Sequence, residues 1–169
     1  MSNNSPENVD KNADLAAFGP PLDQQLCFAL YSTSLAMTKV YRPLLVTLGI
    51  TYPQYLVMLA LWEHRELSMG QLCEHVALDS GTLTPLIRKL TALDLILRRR
   101  NPQDDRSVLI TLTARGAALS HKAQAVHDQV ACATQCTQAQ RQTLVQSLQN
   151  LRAALLETVA AVSRAGLSK

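Results

Sequence analysis

A chain of 169 residues with 47% hydrophobic and 17% charged residues holds enough apolar material for one domain of ordinary size and too much for a disordered chain. No apolar run approaches the ~18 residues a membrane helix needs, and no basic stretch leading into an apolar one opens the chain; no membrane partner is expected, and the expected location is cytoplasmic. The net charge of +3 is unevenly spread: residues 1–26 carry Glu7, Asp10, Asp14 and Asp23 against Lys11, while residues 88–115 carry Arg88, Lys89, Arg98, Arg99, Arg100, Arg106 and Arg115 against Asp94, Asp104 and Asp105. Such a basic cluster suits an anionic partner, nucleic acid above all, although a solvated charged face has the same composition.

Residues 1–21 are polar, end in Gly19-Pro20-Pro21, and read as a flexible tail. A helix is predicted to begin with Asp23 as its N-cap. It runs through Leu26, Leu30 and Met37 and stops or bends near Pro43, with Gly49 closing the segment. Three Ser/Thr-x-x-Gln capping boxes follow. Thr51 with Gln54 opens a helix to about His64, with Pro53 in its first turn; Ser68 with Gln71 opens a short one over about 69–77; Thr137 with Gln140 opens the last. Between them, residues 80–94 place Leu83, Leu86, Ile87, Leu90 and Leu93 on one helix face, and Pro85 puts the start near Gly81 or Thr82. Ile96 to Asn101 and Val108 to Leu112, separated by a polar Pro-Gln-Asp-Asp, read as a hairpin. Helix returns from about Thr113 to Cys132. The final helix carries Leu144, Leu148, Leu151, Leu155, Val159 and Val162 as an apolar stripe that calls for a partner. The expected fold class is mainly α: a winged helix-turn-helix over about 51–113, flanked by long helices over about 22–48 and 114–165, all within one domain of residues 22–169.

In a winged helix-turn-helix the second helix of the motif enters the DNA major groove. Here that helix opens with Ser80, Thr82 and Thr84, small hydroxyl residues that can approach phosphates and base edges, and continues with Arg88 and Lys89, which can reach the backbone. An ordinary capped surface helix would carry similar residues. At the hairpin tip, Arg106 suits insertion into a narrow minor groove, with Asp104 placed to orient its guanidinium.

The cysteines are Cys27, Cys73, Cys132 and Cys136. They form no CxxC pair and stand at no zinc-finger spacing with histidine, so no metal and no cofactor are expected. Cys27 follows the proposed cap by four residues. A helix N-terminus raises the thiolate fraction, although Asp23 opposes this and an inert buried cysteine is the plainer reading. Tyr31 lies four residues on, on the same helix face. Tyr41 lies ~21 Å further along a continuous helix and could reach only the Cys27 of a partner packed antiparallel. Phenol hydroxyls can donate to a thiolate, or the tyrosines can be simple interface aromatics.

Two segments then carry a resemblance. ILRRRNPQDDRSVLITLTARG, from Ile96 to Gly116, resembles the wing of the MarR family of bacterial regulators, matching at Asp104, Arg106, Leu112 and Thr113. LDQQLCFALYSTSLAMTKVYRPLL, from Leu22, resembles the first helix of the OhrR-type, organic-hydroperoxide-sensing branch of that family, and GITYPQYLVMLALWE and LDSGTLTPLIRKL agree with it. The resemblance implies a repressor, not an enzyme. It implies a homodimer built from the terminal helices and bound to double-stranded operator DNA. It assigns Cys27 as the cysteine oxidised by organic hydroperoxides, with Tyr41 and Tyr52 as its hydrogen-bonding tyrosines and Tyr31 in the same pocket. It implies an intersubunit disulfide to Cys132, for which Cys136, one turn on, is an alternative; Cys73 is read as packing. Two other readings stay open: a MarR-type regulator answering to a small phenolic ligand, and a thiol peroxidase. Against the latter stand the absence of a CxxC motif and of a cationic side chain near Cys27.

Overall fold

The computed structural model describes residues 19–101 and 104–166, excepting the side chains of Asp105 and Arg106. The chain divides into two units, residues 1–39 and residues 40–169, and the division falls within the first helix, α1 (Leu26–Val46).

In the first unit Asp23 does not cap α1. Pro21 sets an extended backbone (φ −50°, ψ 152°), and Leu22–Gln24 forms a single 3₁₀ turn, with the Gln24 amide donating to the Pro21 carbonyl at 2.9 Å. Gln25 takes the place expected of Asp23: its carbonyl accepts the Ala29 amide at 3.0 Å, and its side-chain amide reaches back to the Pro20 carbonyl at 3.0 Å. Cys27 is still in the first turn. Much of the expected tail, residues 1–18, lies outside the described residues.

The second unit is a winged helix-turn-helix with long helices. Pro43 neither stops nor ends α1, which continues to Val46 before Gly49 turns the chain at φ +70°. Three helices follow: α2 (Tyr52–His64), α3 (Met69–Val76) and α4 (Ser80–Ala92). The capping boxes of Thr51 with Gln54 and Ser68 with Gln71 are both formed. Helix α4 starts earlier than the position of Pro85 suggests, because Asp79 caps it: its carboxylate accepts the Thr82 amide at 2.9 Å. Pro85 is therefore interior. The bond it cannot make is to the carbonyl of Gly81, an exposed residue of the first turn, so water can satisfy that group.

Strands β2 (Ile96–Asn101) and β3 (Asp104–Leu112) form the hairpin, and a short β1 (Glu66–Ser68) completes an antiparallel sheet of order β1-β3-β2. β1 was not anticipated; three residues are too few for a period-two pattern, and Leu67 alone of them is buried. β3 begins four residues before Val108 because the polar segment pairs across a bulge at Arg100/Asn101, where Asn101 Nδ2 donates to Ser107 Oγ at 2.7 Å. The core gathers Tyr55, Met58 and Leu61 of α2, Leu72 of α3, Leu83, Ile87 and Leu90 of α4, and Ile96 and Ile110 of the sheet. Leu93, expected on this face, remains exposed.

Helix α5 (Ala114–Ala133) is seated on this core at one close contact. Thr113 caps it, accepting the Gly116 amide at 2.9 Å, and its own hydroxyl donates to the Asp94 carbonyl at 2.7 Å. A Cβ on Gly116 would lie 1.9 Å from the Leu95 carbonyl oxygen, so no side chain fits there. Helix α6 (Gln138–Gly166) follows its own capping box at Thr137 and Gln140. Its predicted stripe, apart from the half-buried Leu151, is uncovered in the single chain: Leu144, Leu148, Leu155, Val159 and Val162 are 41–67% exposed.

Gly116→Ala is expected to destabilise the protein by about 3 kcal/mol, the upper end for overpacking, because the clash is with backbone rather than a movable side chain. Thr113→Ala is expected to cost about 1 kcal/mol, as for loss of a helix cap. Urea unfolding midpoints check both; a Gly116→Ala midpoint equal to wild type would contradict the close seating of α5.

Candidate nucleic-acid interface and redox cysteines

In the second unit, α4 and the hairpin carry exposed basic residues singled out from the sequence. At the start of α4, Asp79 accepts both the amide and the hydroxyl of Thr82, the latter at 2.8 Å. Those bonds hold the Asp79 carboxyl below its ordinary range, the backbone bond from Thr82 contributing most. Thr84 donates its hydroxyl to the Ser80 carbonyl at 2.7 Å. The three hydroxyl residues predicted to meet DNA are therefore not equivalent. Thr82 and Thr84 have committed their protons within the helix and can only accept from a base edge or water. Ser80 is exposed at the helix start, where an amide and a hydroxyl donor suit a phosphate oxygen.

Arg88 and Lys89 are exposed on α4 two turns on, and Arg98, Arg99 and Arg100 are exposed along β2. Both elements pack on one core, so their cations belong to one rigid lobe. Asp104, also exposed, begins β3. The side chain of Arg106 lies outside the described residues, so its pairing with Asp104 is not described. Asp79 was missed as a site-shaping residue. The signal was present as Asp-Ser-Gly-Thr, an N-cap three residues before a threonine amide, but Pro85 drew the predicted start too far along.

The two residues of the first unit singled out from the sequence, Cys27 and Tyr31, are exposed. Cys27 is a free thiol in the first turn of α1 and donates to Gln25 Oε1 at 3.5 Å. Tyr31, one turn along, is 62% exposed. In the second unit Tyr41 and Tyr52 stack with ring centroids 4.7 Å apart, and Tyr55, not singled out from the sequence, joins them 5.6 Å from Tyr41. Tyr55 in turn meets the edge of Trp62. Burial, reinforced by the neighbouring phenols, pushes the Tyr41 hydroxyl up to about 12; burial raises Tyr52 and Tyr55 as well. At neutral pH these phenols are thus protonated donors.

The remaining cysteines are free. Cys73 is half-buried beside the core residue Leu72 in α3. Cys132 is exposed in the last turn of α5, and the half-buried Cys136 follows in the turn to α6, its thiol donating to the Thr134 carbonyl at 3.2 Å.

A family model described as transcriptional regulator SarA/Rot matches residues 39–123. The organic hydroperoxide resistance transcriptional regulator of Bacillus subtilis (strain 168) is 54% identical over 102 residues, which span 60% of this chain and 69% of that one. Among solved structures, reduced AbfR bound to DNA is 32% identical with a TM-score of 0.62 over 79% of this chain and 93% of that chain. The disulfide-formed state of AbfR is 35% identical with a TM-score of 0.56 over 77% and 91%; AbfR is a protein of Staphylococcus epidermidis. The named relatives are regulators rather than enzymes. With its winged helix-turn-helix, its exposed basic α4 and hairpin, and these matches, the chain belongs to the MarR/SarA family of DNA-binding transcriptional regulators.

Proposed function

We propose that this regulator is a cytoplasmic repressor that senses organic hydroperoxides through Cys27. The observation that carries the reading is an exposed first-turn thiol at Cys27 in a chain so similar to an organic hydroperoxide resistance regulator. In the reduced state a homodimer holds operator DNA. The uncovered stripe of α6 supports the dimer, since a face of that width is unstable in water without a partner. Ser80, Arg88 and Lys89 of each subunit address the major groove and its phosphates, with Thr82 and Thr84 as acceptors. The wing, with Arg106 and Asp104, addresses the minor groove.

The Cys27 thiolate attacks the outer oxygen of the hydroperoxide, giving a sulfenic acid and releasing the alcohol. Tyr31 lies on the same helix face as Cys27, and the phenols of the partner subunit's Tyr41 and the partner subunit's Tyr52 donate to the sulfur or the leaving oxygen. The thiol of Cys132 of the partner subunit then displaces water from the sulfenic sulfur, leaving an intersubunit disulfide. The bond pulls the two lobes out of register with successive major grooves. Phosphate contacts are then lost together, which weakens binding steeply. The solved reduced, DNA-bound and disulfide-formed states of AbfR support such a cycle by similarity.

Cys27→Ser is expected to bind operator within about twofold of wild type by fluorescence anisotropy and to stay bound when cumene hydroperoxide is added. Release of that variant as readily as wild type would remove Cys27 from the mechanism. Arg88→Ala is expected to weaken binding to all sequences alike and to reduce the slope of log K against log salt by about 1, the signature of one lost phosphate contact; an unchanged slope would move Arg88 off the DNA. For the tyrosines, absorbance titration at alkaline pH should show part of the phenol ionisation delayed toward pH 12, and Tyr41→Phe should remove that part. Because Tyr41 is raised in the folded state, its contribution to stability is complete below pH 10 and falls as pH rises toward 12.

A further inference from the structure

The turn between α5 and α6 holds two thiols and a cation in one small structure. Helix α5 ends with the Thr134 amide donating to the Val130 carbonyl at 3.2 Å and the Gln135 amide to the Cys132 carbonyl at 3.0 Å. Gln135 then turns left-handed at φ +53°. A residue just past a left-handed helix end folds back toward the last turn, and here that residue is Cys136. Its amide donates to Thr134 Oγ1 at 3.4 Å, which tightens the turn. Arg141, one turn into α6, closes it from the other side. One guanidinium nitrogen, Nη1, donates to the Cys136 carbonyl and also to the Ala131 carbonyl at 3.5 Å. The Ala131 carbonyl is the peptide group that enters Cys132. A single nitrogen thus ties together the peptides of both cysteines, and it does so with a charge that favours closure of the turn rather than its opening. Cys132 is exposed and Cys136 half-buried, the Cys136 thiol donating to the Thr134 carbonyl at 3.2 Å, so an attacking sulfur can reach Cys132 from solvent while Cys136 stays within the turn.

We infer that Cys132 and Cys136 of one chain form a disulfide with each other, and that this bond is the exit from the oxidised state. The inference takes its trigger, though not its geometry, from the sensing role proposed for Cys27. In the intersubunit disulfide, Cys132 Sγ is bonded to Cys27 Sγ of the partner subunit. The Cys136 thiol loses its proton to solvent, and its sulfur attacks Cys132 Sγ. The Cys132–Cys136 bond forms, the Cys27–Cys132 bond breaks, and the Cys27 thiolate leaves and takes up a proton. The hydroperoxide has then oxidised two neighbouring thiols of one chain, giving an alcohol and water, and the sensor thiol is free again without any external thiol. The short ring between residues four apart makes the exchange intramolecular, which favours it over attack by a dilute thiol from solution.

Trypsin leaves both cysteines on one peptide, residues 123–141. Full-length Cys27→Ser is treated with diamide, a thiol oxidant, which tests the pair without the sensor. The expected result is a chain without intersubunit crosslink, running as a single chain on a non-reducing denaturing gel, whose 123–141 peptide has lost about 2 Da and takes up no alkylating agent; two alkylatable thiols on that peptide would overturn the inference. Wild type and Cys136→Ser are then treated with one equivalent of cumene hydroperoxide and followed on non-reducing gels. The crosslinked dimer of wild type is expected to decay to monomer while Cys27 becomes alkylatable again, and that of Cys136→Ser to last at least about tenfold longer. Equal lifetimes would overturn the inference. If diamide forms the internal bond but hydroperoxide crosslinks neither protein, the sensing reading fails and the Cys132–Cys136 pair stands.

Discussion

The structure depends on the seat of α5 at Leu95. Four groups converge there. Thr113 donates its amide to the Leu95 carbonyl at 3.1 Å and its hydroxyl to the Asp94 carbonyl at 2.7 Å, while accepting the Gly116 amide. Gly116 presses its bare Cα against Leu95, and its carbonyl accepts the Trp62 indole N–H at 2.9 Å. Through these five residues, the end of α4, the start of β2, the end of β3, the last turns of α2 and the start of α5 are fixed to one another. Asp94 accepts a left-handed backbone, φ +56°, to make the connection. Few bonds are involved, but each joins a different element, so removing one loosens several. The helix that leads to α6 is thereby coupled rigidly to the helix and hairpin that carry the basic residues.

That coupling is what the proposed mechanism relies on for chemistry at a thiol to reach an interface built from other residues. A rigid lobe cannot adjust its grip locally. It carries Arg88, Lys89 and the arginines of β2 together, so on the proposed reading the free energy of phosphate contacts would be lost collectively if their spacing to a second lobe changed. The polar groups at the start of α4 follow the same logic. Asp79 consumes the protons of Thr82 to fix the first turn, so the helix meets DNA with a set conformation and pays no ordering entropy at that step. The tyrosine cluster is likewise preset: its phenols stay protonated over the whole physiological range and keep a proton to donate.

Most of the fold could be read from local chemistry because its boundaries are set locally. Three Ser/Thr-x-x-Gln boxes marked three helix starts, and each rests on bonds between residues three apart. The apolar faces of α4 and α6 followed from period alone. The errors came where two local rules competed. Pro85 suggested a later start than Asp79 enforces, and the cost of an interior proline is small when the orphaned carbonyl is exposed. Asp23 resembled a cap, but Pro21, by fixing an extended backbone ahead of a 3₁₀ turn, gave that place to Gln25. β1 exists only because β3 offers it an edge, a long-range fact with no signature in three residues. At the candidate site, the sequence named the cysteines and three tyrosines but passed over Tyr55, whose role is visible only once α2 packs against the end of α1. The clamp of Arg141 on the turn between α5 and α6 was also hidden, since it joins residues ten apart through a conformation that Gln135 alone does not announce.

The central claim is that occupancy of the operator is set by the oxidation state of one thiol. Its most direct test follows both quantities in one sample. Reduced protein on labelled operator is titrated with cumene hydroperoxide; anisotropy reports bound DNA, and quenched aliquots are alkylated to count free Cys27 by mass spectrometry. The fraction of DNA released is predicted to track the fraction of Cys27 lost through the titration, up to about one equivalent of oxidant per chain. Release while Cys27 remains fully alkylatable, or full oxidation of Cys27 with the DNA still bound, would contradict the account.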